Sequence, residues 1–122
     1  MTTRPDAVLD VPRPAWWSED IAMLREMAEK FCQSEIVPHY DRFETQEKVD
    51  RSLWNAAGAS GFLCASIPEA YGGAGGSYGH EAAIVEALGH TGADGFGLPL
   101  HNAIVAPYIL HYGSEEQKRR WL

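Results

Sequence analysis

The segment from Leu98 to Tyr112 carries apolar residues on two helical stripes at once. Leu98, Val105, Tyr108, Ile109 and Tyr112 form one stripe; Leu100, Ile104 and Pro107 form the other. A helix that is apolar on most sides is normally buried on most sides. The chain has 122 residues, enough for a single domain with one modest core. This segment is therefore expected to be its most enclosed helix, kinked where Pro107 removes a backbone donor. The adjacent polar residues His101 and Asn102 interrupt it. They read either as hydrogen-bonded buried groups or as the wall of a site.

Apolar spacing makes the rest of the chain helical as well. Residues 1–17 hold three prolines and read as an extended arm whose end is anchored by Trp16 and Trp17. Ser18 is a plausible N-cap, followed by acidic Glu19 and Asp20. Ile21, Leu24, Met27, Ala28 and Phe31 then recur at helical spacing, and Pro38 is expected to stop that helix near Val37. After a polar stretch from His39 to Val49, Asp50 can cap a second helix bearing Leu53, Trp54 and Ala57, with Gly61 at its left-handed end. Phe62 to Ile67 reads as a short extended segment. Gly72, Gly73, Gly75 and Gly76 place four glycines in five positions, a signal of chain reversal and close backbone approach. Ser77 is expected to cap a third helix with Tyr78, Ala82, Ile84, Val85 and Leu88 inward. Ser114 and Gln117 fit a capping box that starts a last helix, which stops at Leu122 after barely two turns, as if the chain were cut.

Composition excludes several functions. The formal net charge of −7 argues against nucleic acid or anionic lipid as partners, since both rely on clustered Lys and Arg. Lys118-Arg119-Arg120 follows two glutamates and reads as a solvated helix face. No leading apolar core resembles an export signal, and the longest apolar run, Ala103 to Leu110, is eight residues with a proline inside it. No membrane insertion and a cytoplasmic location are the expectation, with Cys32 and Cys64 as reduced thiols.

Known catalytic spacings fail. The glycine run supports neither G-x-G-x-x-G nor a Walker A loop. The five histidines form no i, i+4 pair and no C-x-x-C is present, so no metal site is expected. Glu86 and His90 share a helix face and read as an exposed ion pair. Cys64, Ser66 and His80 lie close in sequence without a nucleophile elbow.

Two stretches carry a resemblance. Ile67 to Gly76 (IPEAYGGAGG) and Tyr112 to Leu122 (YGSEEQKRRWL) resemble the signatures of the N-terminal helical domain of acyl-CoA dehydrogenases. The order of elements agrees, and Leu100 to Ile109 (LHNAIVAPYI) is similar to long-chain-type bacterial members. The resemblance covers about Ser18 to Leu122 and implies an all-α fold, a small orthogonal or up-down helical bundle. It divides the chain into an arm, 1–17, and the α domain, 18–122, cut before the family's β-domain and C-terminal bundle.

The resemblance also implies a function. The family uses FAD to convert an acyl-CoA thioester to the trans-2-enoyl-CoA, with a carboxylate taking the α-proton. The catalytic glutamate and main flavin contacts are expected in the family's other domains, so no catalytic, cofactor or metal residue is assigned in this chain. Alone, it is expected to be inactive and to bind FAD weakly or not at all. By position, Phe96, Leu100 and Ile104 match the family's acyl-tunnel wall. Packing against the other domains would explain the same stripe. The electron acceptor is not specified, and exposed apolar surface is expected to drive self-association into a homo-oligomer. The alternative is a free-standing helical interaction module without catalysis.

Overall fold

The computed structural model describes residues 11–93 and 95–122. The first ten residues of the expected arm lie outside the described residues. Every regular element among the described residues is helical, as expected of an all-α domain.

Helix α1 (Glu19–Phe31) starts from an extended Ser18, with Glu19 and Asp20 in its first turn. Ile21, Arg25 and Ala28 face inward, while Met27, expected there, is 54% exposed. The chain does not leave the helix at Pro38. It widens into a π turn (Cys32–Ile36), tightens into a 3-10 turn (Val37–His39) and continues as α2 (Tyr40–Thr45). Pro38 falls in the first turn of the 3-10 segment, where its missing N–H breaks no helical bond. The change of register buries Cys32, Ile36 and Phe43 together. The stretch expected to be irregular from His39 is thus helical to Thr45.

Helix α3 (Arg51–Ala59) buries Leu53 and Ala57. Asp50 has the extended backbone of an N-cap, but its carboxylate bonds elsewhere, to Arg42 Nη1 at 2.7 Å and Gln46 Nε2 at 2.9 Å. Those bonds, Gln46 first and Arg42 second, hold its carboxyl below the ordinary range. Gly61, at φ +82°, closes the helix as expected.

Residues 62–67 are not extended. They bend, with Cys64 at φ +56° and Phe62, Ala65 and Ile67 buried. The glycine run folds back onto them. Gly76 N donates to Ala65 O at 2.8 Å, Gly75 N to Ile67 O at 2.9 Å and Gly73 N to Pro68 O at 3.2 Å. A Cβ on Gly73 would stand 2.1 Å from Ile67 O, so no other residue fits without moving the backbone.

In helix α4 (Tyr78–Gly89), His80 Nδ1 accepts from Ser77 N at 2.9 Å, closing the first turn. Glu81, Ala83, Ile84, Ala87 and Leu88 are buried, whereas Tyr78, expected inward, is 71% exposed. Gly79, Ala83 and Ala87 leave room for α1. A Cβ on Gly79 would come within 2.9 Å of both Ile21 and Trp16. Trp16 therefore lies over the start of α4, and Arg13 stacks 3.9 Å above Trp17 while donating to Glu86 at 2.9 Å. The end of the arm is anchored, as its tryptophans suggested.

The next helical segment comprises α5 (Leu98–Leu100), a π turn (His101–Val105) and α6 (Ala106–Tyr112). Only Leu98, Asn102 and Ala106 face the core. Leu100, Ile104, Val105, Tyr108 and Tyr112 are all exposed, so the expectation of an all-round buried helix is corrected. The inward face needs small or hydrogen-bonding groups against Phe62–Cys64, which turns the bulky stripes outward. Pro107 follows the π turn at the start of α6, where the longer register absorbs its missing donor. Helix α7 (Glu115–Trp121) begins with the expected capping box and is tied to Tyr71, whose hydroxyl donates to Glu115 at 2.9 Å.

Gly73→Ala should destabilise the chain by about 2–4 kcal/mol, because backbone must move to accept the Cβ. Gly89→Ala, with open space around it, should be neutral or stabilise by up to ~1 kcal/mol. Urea unfolding of the two variants, followed by far-UV circular dichroism, checks the contrast.

Candidate functional site

Phe96 lies just before α5 and is 2% exposed. Its ring meets Trp54 edge-on, with centroids 4.7 Å apart. With Leu100 it lines an apolar groove of about 350 Å³ completed by Val85, Leu88 and Pro99. The structure thus brings Phe96 and Leu100 to one groove. Ile104 does not line it; it is exposed one turn further along. Phe96 is a loop residue, so helical spacing does not relate it to the other two.

Asn102 organises this region. It is fully buried, yet each of its polar atoms is used. Nδ2 donates to Phe62 O at 2.6 Å, and Oδ1 accepts from Cys64 N at 3.2 Å and meets His101 Nδ1 at 2.8 Å. One side chain thereby pins the bent 62–64 segment to the π turn that sets the direction of Leu100 and Ile104. The polar residue inside an apolar run was the sequence signal for it. His101 packs on Trp54, with ring centroids 5.4 Å apart.

Sequence reasoning missed Glu81. It is 1% exposed, and Oε1 accepts from Ser66 N at 2.9 Å and from Ser66 Oγ at 3.2 Å. Its position three residues before Ile84 and seven before Leu88 puts it on the inward face, which is the signal that was available. Glu86 is also more than half of an exposed pair. It takes Arg13 at 2.9 Å, Arg25 at 3.7 Å and His90 at 3.8 Å. Burial raises its carboxyl, but Arg13, by hydrogen bond and charge, leads the groups that bring it below the ordinary value.

The reactive side chains do not converge. His80 has both ring nitrogens occupied, by Ser77 and by Asp20 at 2.8 Å, and Ser66 is committed to Glu81. Burial pushes the Cys32 thiol up to about 11 and raises that of Cys64, the opposite of an activated thiolate. Among the described residues no group of three or more His, Cys, Asp or Glu could hold a metal ion. Among the described residues no helix is long and apolar enough to cross a membrane. The glycine run offers no cradle for a flavin diphosphate, since the amides of Gly72, Gly73, Gly75 and Gly76 all bond backbone carbonyls. The glycine run does not fit the diphosphate of FAD.

Comparison with known proteins agrees with this architecture. The family model described as acyl-CoA dehydrogenase, N-terminal domain, matches residues 18–122. The chain is 39% identical over 106 residues to the long-chain specific acyl-CoA dehydrogenase, mitochondrial, of Sus scrofa, covering 87% of this chain and 25% of that one. The crystal structure of an acyl-CoA dehydrogenase from Geobacillus kaustophilus superposes with a TM-score of 0.84 at 38% identity, covering 89% of this chain and 29% of that one. A chain in the structure described as the electron transferring flavoprotein of Acidaminococcus fermentans superposes at 0.77 with 29% identity, covering 90% and 29%. The chain therefore spans about a quarter of the length of the curated relatives it matches.

Asn102→Leu should destabilise the fold by about 2–4 kcal/mol, because Phe62 O and Cys64 N lose their partners inside the core. Chemical denaturation measures the loss. Hydrogen exchange at the Cys64 amide should accelerate with it.

Proposed function

The chain belongs to the acyl-CoA dehydrogenase family as its N-terminal domain, and from that premise we propose that it forms part of the acyl-chain wall of an enzyme that dehydrogenates acyl-CoA thioesters. The observation that carries the reading is the pairing of buried Phe96 with exposed Leu100 along one apolar groove, continued by exposed Ile104. An alkyl chain lying there replaces water on those side chains, gaining roughly 0.8 kcal/mol for each methylene buried. The fold keeps the wall rigid from behind: Phe96 is braced by Trp54, and the π turn by Asn102.

The work assigned to this chain is binding and exclusion of water, with no proton or electron moved by its own residues. FAD, held by other parts of the enzyme, supplies the hydride acceptor when bound, and the base that removes the α-proton lies outside this domain. The likeness to a chain described with an electron transferring flavoprotein supports a flavoprotein as electron acceptor. A cytoplasmic location remains our expectation, beside a relative whose name places it in mitochondria.

In the enzyme carrying this domain, Leu100→Trp combined with Ile104→Trp should raise KM for long acyl-CoA substrates by about tenfold, equivalent to about two methylenes' burial. Short-chain turnover should be unchanged. Equal kinetics at every chain length, with flavin content and folding intact, would assign the face to inter-domain packing instead. Flavin bleaching by acyl-CoA under anaerobic conditions tests the reaction itself.

The same exposed side chains support self-association of the isolated chain. Light scattering should give a mass that rises with concentration, and Ile104→Lys with Val105→Lys should return it to the monomer value.

A further inference from the structure

The pair His101-Asn102 leaves one nitrogen that the fold does not use. Phe62 O can only accept and Cys64 N can only donate, so their bonds to Asn102 fix its amide with Nδ2 toward Phe62 and Oδ1 toward Cys64. The same Oδ1 lies 2.8 Å from His101 Nδ1, which must therefore carry the proton. His101 Nε2 has no partner among the described residues.

His101 borders a groove of about 810 Å³ with Lys48, Arg51, Ser52, Trp54 and Asn55. Its charges are unusual for a chain of net charge −7. Arg13, Arg25, Lys30, Arg42, Lys118 and Arg119 each hold a carboxylate, whereas Lys48 and Arg51 at this groove, and Arg120 outside it, reach none among the described residues. Asp50, the acid at the groove, is already neutralised by Arg42 at 2.7 Å. Two unspent cations and an oriented imidazole thus border one concave surface.

We propose that the groove formed by Lys48, Arg51, Trp54 and His101 binds the phosphate group of a small ligand. The Arg51 fork and the Lys48 ammonium take the phosphate oxygens. His101 Nε2 accepts from the P–OH of a phosphate monoanion. Asn102 is the positioning residue that fixes which nitrogen faces the ligand. The site shares no lining residue with the Phe96–Leu100 groove and stands independently of the acyl-chain reading.

The test is a titration of the 122-residue chain with inorganic phosphate and with phenyl phosphate, followed by calorimetry and by NMR of the imidazole nitrogens and the Trp54 indole. Without ligand, the nitrogen spectrum should place the His101 proton on Nδ1. Phosphate should give saturable shifts at His101 and Trp54, and Arg51→Gln should weaken binding by about tenfold. Arg120→Gln, at an exposed cation outside the groove, should leave it unchanged. Tighter binding of phenyl phosphate would assign an aryl or other ring-bearing ester; equal binding would assign phosphate without a ring. Non-saturable shifts, equal affinity for acetate, or equal losses in the Arg51 and Arg120 variants would overturn the proposal.

Discussion

Close approach of α1 and α4 sets the position of everything else in this domain. Gly79, Ala83 and Ala87 present almost no side chain along one line of α4, and Ala83 and Ala87 are completely buried. With the two axes drawn together, Ile21 and Trp16 fill the space over Gly79, and Ile84 and Leu88 reach the core. Dispersion and apolar burial supply the attraction, while the small residues remove the steric bar to it. The arm closes over this contact through Trp16 and the Arg13–Glu86 pair.

Three buried polar side chains, Arg25, Glu81 and Asn102, then give the loops fixed positions on that base. Glu81 holds Ser66, Asn102 holds Phe62 and Cys64, and Arg25 joins α1 to Glu86. Asn102 satisfies backbone groups away from water, whereas Arg25 Nε and Glu81 Oε2 are buried with no hydrogen-bond partner among the described residues. The irregular 62–76 segment is ordered by these contacts and by its own backbone bonds. It in turn carries the π turn, and the outer face of α5 and that turn offers Leu100 and Ile104. The exposed apolar face, which we propose as the acyl-chain wall, and the hydrogen-bond scaffold thus belong to one short helical segment.

Two departures from sequence expectation share a cause. Pro38 and Pro107 each promised a stop or a kink, and each instead sits at a helix start beside a π turn. Residue spacing cannot reveal a π turn, because the extra residue is accommodated only when tertiary packing rewards the new register. Here the reward is burial of Ile36 and Phe43 in one case and of Asn102 in the other. The spacing of Glu81 marks an inward face, but its partner is not local: Ser66, fifteen residues away, donates twice to Oε1, and Oε2 has no hydrogen-bond partner among the described residues.

Local rules determined much by sequence alone: helical class, the caps at Ser77 and Ser114, the turn at Gly61, the reversal at the glycine run, and the family resemblance over 18–122. Each depends on nearest neighbours or on a spacing written in the chain. Tertiary structure decided which faces turn inward. Periodicity marks Leu98, Leu100, Ile104 and Tyr108 alike as apolar, and only the partner surface distinguishes them. That surface, the carbonyl of Phe62 and the amide of Cys64, selects the face bearing Asn102 and leaves the larger apolar side chains outside.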